Sequence, residues 1–351
     1  MADSLNNLGH WPSFATLSIG SLPYTDLSQA LDELALLDIP AAPQLTRLNL
    51  REDMIFGAVD GLPFIEANLE ERKVTVPQKN LADNLAHFYE LYFAGDFSFA
   101  ALSPEASTGL EAFFKKAEGQ PSFGANFLKA QVVGPLTFAQ SARLENGSSA
   151  VDQPDILEAL SLGLGAKAAY LASRIRALGR QPVVFIDEPG LTGYGSAFST
   201  LSAETVLKSL SQAIETAKSQ GQVFIGCHVC GNTDWGLLSQ APLDILNFDA
   251  YSYLETFCLY PKELKAFLER GGYLAFGLVP TDKFTPDLTS RFLLDKFWLE
   301  LKPLTRVIDR ELLIERSLLT SSCGLGSLPP RTASLIMTLL AQTAQLARQS
   351  V

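Results

Sequence analysis

Eight short runs of apolar, β-forming residues recur along this chain, each followed by a loop and most by a helical pattern. They lie at 14–18, 41–45, 128–133, 183–186, 223–227, 245–248, 273–278 and 312–319. Most are continuous rather than alternating, as parallel strands covered on both faces are. Eight strands alternating with helices and wound in one right-handed sense close into a (β/α)8 barrel of the α/β class, a TIM barrel. A doubly wound open sheet is the competing arrangement. Barrels of this length form one unit, so residues 1–351 are read as a single domain.

The intervening segments carry helix signals. The pattern over 26–37 opens on a Thr25/Asp26 cap, and 108–118 and the alanine-rich 155–178 repeat apolar residues at helical spacing. Residues 202–219 open on Ser-x-x-Thr, and 261–270 run from a first-turn proline to Gly271–Gly272. Residues 333–347 read as a buried barrel helix. Residues 50–125 hold more chain than one crossover needs, which predicts an insertion between strands two and three. A lid or extra hairpin is expected there, around 73–78.

Composition narrows the function. A hydrophobic content of 47% supports a large core, and a net charge of −11 repels both phosphate backbones and anionic membrane faces. Neither nucleic acid nor membrane is expected as a partner. The opening MADSLNNLGHWPS lacks a basic region followed by an apolar run, and no apolar stretch is long enough to span a bilayer, so a cytoplasmic location is expected. Four cysteines, Cys227, Cys230, Cys258 and Cys323, then read as thiols or metal ligands rather than as a disulfide frame.

Barrel enzymes carry their chemistry on the loops after the strands. Polar residues collect there: Gly20-Ser21, Gly134-Pro135, Asp187-Glu188, His228-Val229-Cys230, Asp249, Thr281-Asp282 and Cys323-Gly324. The His228-x-Cys230 pair is the sharpest of these, because residues two apart at a strand end face the same way. Cys323 and Asp249, at two other strand ends, can reach the same point. One nitrogen, two sulfurs and one oxygen suit tetrahedral zinc. Plainer readings stand beside this one: a packed thiol for Cys323, a helix cap for Asp249, a turn for Asp187-Glu188. Cys227 points to the opposite face from His228, and Cys227 and Cys258 read as core residues. His10 and His87 have no surrounding pattern.

With these residues in view, the chain resembles the C-terminal catalytic barrel of the cobalamin-independent methionine synthases, within the uroporphyrinogen decarboxylase/methionine synthase-like superfamily. The matching stretches are LSIGSLPYTD from Leu17, LKAQVVGPLTF from Leu128, VFIDEPGL from Val184, GCHVCGNTDW from Gly226, DILNFDAY from Asp244 and LTSSCGLG from Leu319. The resemblance implies Zn2+ held by His228, Cys230 and Cys323, with the family's glutamate ligand replaced by Asp249. It implies that Ser21 holds the carboxylate of a homocysteine-like thiol and that Asp187 holds its amino group. Asp187 and Glu188 are the candidate catalytic carboxylates.

Three departures bear on the reaction. The family's N-terminal barrel is expected to be absent, and its histidine after strand seven has no counterpart where this chain reads GLVPTDK. The substrate-binding glutamate expected before Arg-x-Asp-Met is missing from the stretch 48–54. The expectation is therefore a zinc-dependent methyltransferase that activates a small thiol for S-methylation, with a methyl-corrinoid on a separate protein as donor rather than folate. The rivals are a uroporphyrinogen decarboxylase-like enzyme, for which Arg47 and Arg51 are the available arginines, and a non-catalytic zinc-binding methyl-relay partner.

Overall fold

The computed structural model describes residues 11–124, 126–196 and 201–350, so His10 lies outside the described residues. Its strands are β1 (Ala15–Thr16), β2 (Glu66–Asn68), β3 (Lys73–Val76), β4 (Phe127–Val133), β5 (Ala142–Leu144), β6 (Gln181–Asp187), β7 (Phe224–Val229), β8 (Ile245–Phe248), β9 (Tyr273–Val279) and β10 (Ser317–Ser321). Seven of them form one sheet in the order β1-β10-β9-β8-β7-β6-β4, with every pairing parallel.

The two edges of this sheet meet across residues 39–44. On one side Ile39 N donates to Thr16 O at 2.9 Å and Gln44 N to Gly20 O at 3.0 Å. On the other, Lys129 N donates to Pro40 O at 2.9 Å and Ala42 N to Lys129 O at 2.8 Å. The sheet thus curls as in a TIM-like barrel. The strand expected at 41–45 is replaced by isolated bridges, and the reason is covalent: Pro40 and Pro43 have no N–H to give to a ladder.

The run at 312–319 also needs correction. Its first half belongs to a helix, Arg310–Glu315, whose cap Asp309 accepts from Glu311 N and Leu312 N; the strand begins at Ser317. A competent cap outcompeted the β-propensity of the leucines and isoleucine. The other helices fall near their expected positions, among them Leu27–Leu34 capped by Asp26, Pro154–Ala177, and Ala203–Lys218 capped by Ser202. Between 45 and 127 lie the antiparallel hairpin β2–β3, which pairs through β3 with β5, and a helix, Leu81–Phe93, that the sequence reading passed over. That helix buries only Phe88 completely and leaves Phe93 77% exposed, so its apolar spacing is weak.

Alternate residues of the sheet strands face the barrel interior, and their character changes along each strand. The starts are apolar: Trp11 packs on the rings of Phe127, Phe224 and Tyr273 at 4.7–4.9 Å between centroids and fills the interior at that end. Two to four residues further on, the same faces carry Lys129, Gln131, Asp187, His228, Asn247 and Thr320, all buried. The opposite faces, including Cys227, Val184 and Leu246, join the main core under the helices. Apolar starts and polar ends place the chemistry at the C-terminal mouth of the sheet.

Candidate metal centre

Asp187, His228 and Asn247 are consecutive rungs of one register across β6, β7 and β8. Asn247 is fully buried, and its amide is fixed by two donations from Nδ2, to Ala275 O at 2.8 Å and Thr320 Oγ1 at 2.9 Å. Its Oδ1 therefore faces His228 Nδ1, at 2.6 Å. An oxygen with no proton must accept, so Nδ1 carries the imidazole hydrogen and Nε2 presents a lone pair. That Nε2 is buried without a hydrogen-bond partner. Leaving such an acceptor dry and unpaired costs about 1–3 kcal/mol unless something else binds it.

The group facing it is sulfur. One imidazole nitrogen of His228 and the Sγ atoms of Cys230 and Cys323 all lie within 4.8 Å of one another. Cys230 follows β7 and Cys323 follows β10. The Cys323 carbonyl is gripped by Ser321 Oγ at 2.8 Å, and the preceding Ser322 N donates to Val279 O at 2.8 Å. The hydrogen bond from the neighbouring Cys323 thiol holds Cys230 below the ordinary thiol range, against burial. Cys323 is pushed up, first by its hydrogen bond to Cys230 and then by burial. Three donors on a tetrahedral zinc with bonds of roughly 2.0–2.3 Å stand about 3.5–3.8 Å apart, a spacing that lies inside the 4.8 Å bounding these three atoms.

Asp249 has a role of its own at the start of a helix. Among the described residues it is not part of the three-donor group, and its carboxylate caps the helix Ala250–Phe257 by accepting from Ser252 N at 3.0 Å. Asp187 lies within electrostatic reach of His228, Cys230 and the buried Lys129; burial raises its pKa, and its Oδ1 has no hydrogen-bond partner. Glu188 is fully buried and binds the start of the helix Pro135–Ser141, accepting from Leu136 N at 3.0 Å, Thr137 N at 2.8 Å and Thr137 Oγ1 at 2.6 Å. Burial pushes its pKa up to about 7. In this arrangement Glu188 ties together the loops after β4 and β6.

Ser21 sits against the Cys323 loop. Leu325 N donates to Ser21 O at 2.9 Å, and a Cβ on Gly324 would collide with Ser21 Oγ. Arg47 and Arg51 are engaged within the protein: Arg47 donates to the carbonyls of Ser327 and Leu328 at 3.0 and 2.9 Å, and Arg51 pairs with Asp60 at 3.4 Å. Two interior residues escaped the sequence reading. Asn247 and Lys129 each interrupt an apolar strand, and that interruption was the available signal, because a polar group in such a strand needs a partner.

No protein-family model and no curated protein matches the chain. Among solved structures, it is similar to one described as a B12-independent methionine synthase from Shewanella sp. W3-18-1 in complex with selenomethionine. The TM-score is 0.61 at 16% identity, over 96% of this chain and 98% of that one. That likeness is one of fold. A GH113 beta-mannanase from Alicyclobacillus acidocaldarius superposes with a TM-score of 0.45 at 10% identity over 97% of each chain, too low to carry an argument. Among the described residues no helix is long and apolar enough to cross a membrane.

Proposed function

We propose that this chain is a zinc-dependent thiol S-methyltransferase, with His228, Cys230 and Cys323 as the protein ligands and a homocysteine-like amino thiol as acceptor. The observation that carries the reading is the orphaned Nε2 of His228, its lone pair fixed by Asn247, sharing one site with two sulfurs. Bound there, zinc supplies the Lewis acidity that keeps an acceptor thiol deprotonated at neutral pH. His228, Cys230 and Cys323 would hold the metal, the two cysteines would keep that sulfur electron-rich, and three protein donors would leave room for it.

The surrounding residues suit an amino acid. Asp187, with one unpartnered buried oxygen, receives the ammonium group of the acceptor. Ser21, on the loop beside Cys323, receives its carboxylate. The acceptor sulfur forms the new S–C bond as the methyl group leaves its donor in line. The Shewanella protein, of nearly equal span, was solved in complex with selenomethionine, the selenium analogue of the thioether that methylation of homocysteine gives. For the donor we retain a methyl-corrinoid on a separate protein, since the stretch 277–283 has no histidine. Arg47 and Arg51, the arginines that a decarboxylase reading would call on, each bond within the protein, which weighs against that reading.

The test is metal analysis of the purified chain followed by methyl transfer to homocysteine. One zinc per chain and methionine formed from methylcobalamin, with none from methyl-folate, is the expected result. Transfer from methyl-folate alone would replace the donor, absence of stoichiometric zinc would end the proposal, and zinc without turnover on either donor would leave the methyl-relay partner.

A further inference from the structure

Lys129 is fully buried inside the barrel, one strand step below Gln131 on the same face of β4. Its Nζ donates to Ile19 O at 2.7 Å and to Gln131 Oε1 at 3.0 Å, and lies 4.4 Å from the centroid of the Phe185 ring. Gln131 passes the connection on, donating from Nε2 to Ala42 O at 2.7 Å. A lone ammonium in such a place would be strongly destabilising. Here two oxygens, an aromatic face and the nearby Asp187 carboxylate compensate it, although burial still holds its pKa down to about 8.

These bonds bring together three chain segments that the backbone joins weakly. Pro40 and Pro43 break the ladder between β1 and β4, and Lys129 with Gln131 spans the gap from within. The segment so gripped leads directly to Ser21. Gly20, at φ +146°, is a conformation that residues with a Cβ rarely adopt, and a Cβ there would lie 2.6 Å from Gln131 Cδ. The backbone at Ile19–Gly20 is thus drawn against the Lys129–Gln131 pair, and Ser21 emerges from it facing Gly324 and Gly326.

We propose that Lys129 is a positioning residue for the acceptor: it pins the Ile19–Gly20 backbone from inside the barrel so that Ser21 is presented to the acceptor carboxylate beside Cys323. This rests on the reading of Ser21 given above. Lys129 touches no substrate in this scheme and acts through the loop it holds.

The test compares two thiols that differ only in the carboxylate, homocysteine and 3-aminopropanethiol, titrated calorimetrically into the zinc-loaded full chain. Wild type should prefer homocysteine. Lys129→Met should lose that preference by about tenfold, the value of a hydrogen bond to a charged group, with zinc content unchanged; because it also removes a cation near Asp187, which would shift both amines alike, the ratio of the two affinities is what is read. Gln131→Leu, which keeps the cation but removes both its Oε1 partner and the link to Ala42, should shift the same ratio in the same direction, and it carries the test if Lys129→Met does not fold. A variant that keeps the wild-type preference, weakens both thiols equally or loses zinc overturns the proposal. A wild type that binds both thiols equally removes the Ser21 reading and this inference with it; one that binds neither removes the proposed function itself.

Discussion

The His228 ring and the Asn247 side chain form a 2.6 Å hydrogen bond on adjacent strands, and Asn247 is held in turn by Ala275 and Thr320 from the next two. Four strands therefore decide which nitrogen of one histidine carries a proton. Such outer partners typically contribute 10–100-fold to metal affinity. Asn247→Leu should weaken zinc binding by about that factor in a chelator competition, with the site still fillable at high zinc. Asn247→Asp keeps an acceptor for Nδ1 but loses both donations, and should fall between the two. Wild-type affinity in Asn247→Leu would mean that His228 does not rely on this bond.

Asp187 separates binding of metal from binding of substrate. It borders the three donors without joining their group, and one of its oxygens is unpartnered. Asp187→Asn should therefore keep one zinc per chain and bind homocysteine at least tenfold more weakly, as loss of a charged hydrogen bond implies. Metal analysis and calorimetry on the same sample decide it. A variant that sheds its zinc would make Asp187 a ligand.

Much of this arrangement is written in strand periodicity. His228 and Cys230 could be paired from sequence because residues two apart share a face, and the two do converge, although Cys230 lies one residue past the end of β7. Cys323 could be added only because β10 was recognisable as another strand of the same barrel. The prolines at 40 and 43 were visible too, yet their effect on pairing depends on which strands flank them, and that is a tertiary fact. Asn247 and Lys129 were illegible for a related reason. A polar residue in an apolar strand announces that it needs a partner, but Thr320 and Ile19 lie 73 and 110 residues away. The helix at 310–315 shows the opposite failure, in which a local cap outweighed a plausible strand pattern.

Asp249 tests the resemblance against the local geometry. Its side chain accepts from Ser252 N at the start of a helix, a role worth about 1 kcal/mol. If capping is its work, Asp249→Ala should lower unfolding stability by about that amount, Asp249→Asn by much less, and neither should change zinc affinity. If both variants bind zinc more weakly, Asp249 moves onto the metal as the fourth protein ligand.

Lys167 offers a test of the fold that is independent of the metal. Its Nζ is buried on the helix Pro154–Ala177 and donates to Asp60 O at 2.8 Å and Ala100 O at 3.0 Å. Burial pushes its pKa from 10.5 down to about 8. An unfolded chain keeps this proton up to about 10.5 while the folded chain releases it near 8, so between those values the unfolded state binds more protons and rising pH favours folding. The full shift corresponds to roughly 3 kcal/mol, which weighs on the folded state below that window and is relieved above it. Lys167→Met loses two hydrogen bonds at every pH, a constant offset, and also loses this titration. The stability of wild type relative to Lys167→Met, measured by denaturant unfolding from neutral pH upward, should therefore climb through the window by up to about that amount. A difference that stays flat would show that the two carbonyls keep Lys167 charged throughout, and that its burial is fully compensated.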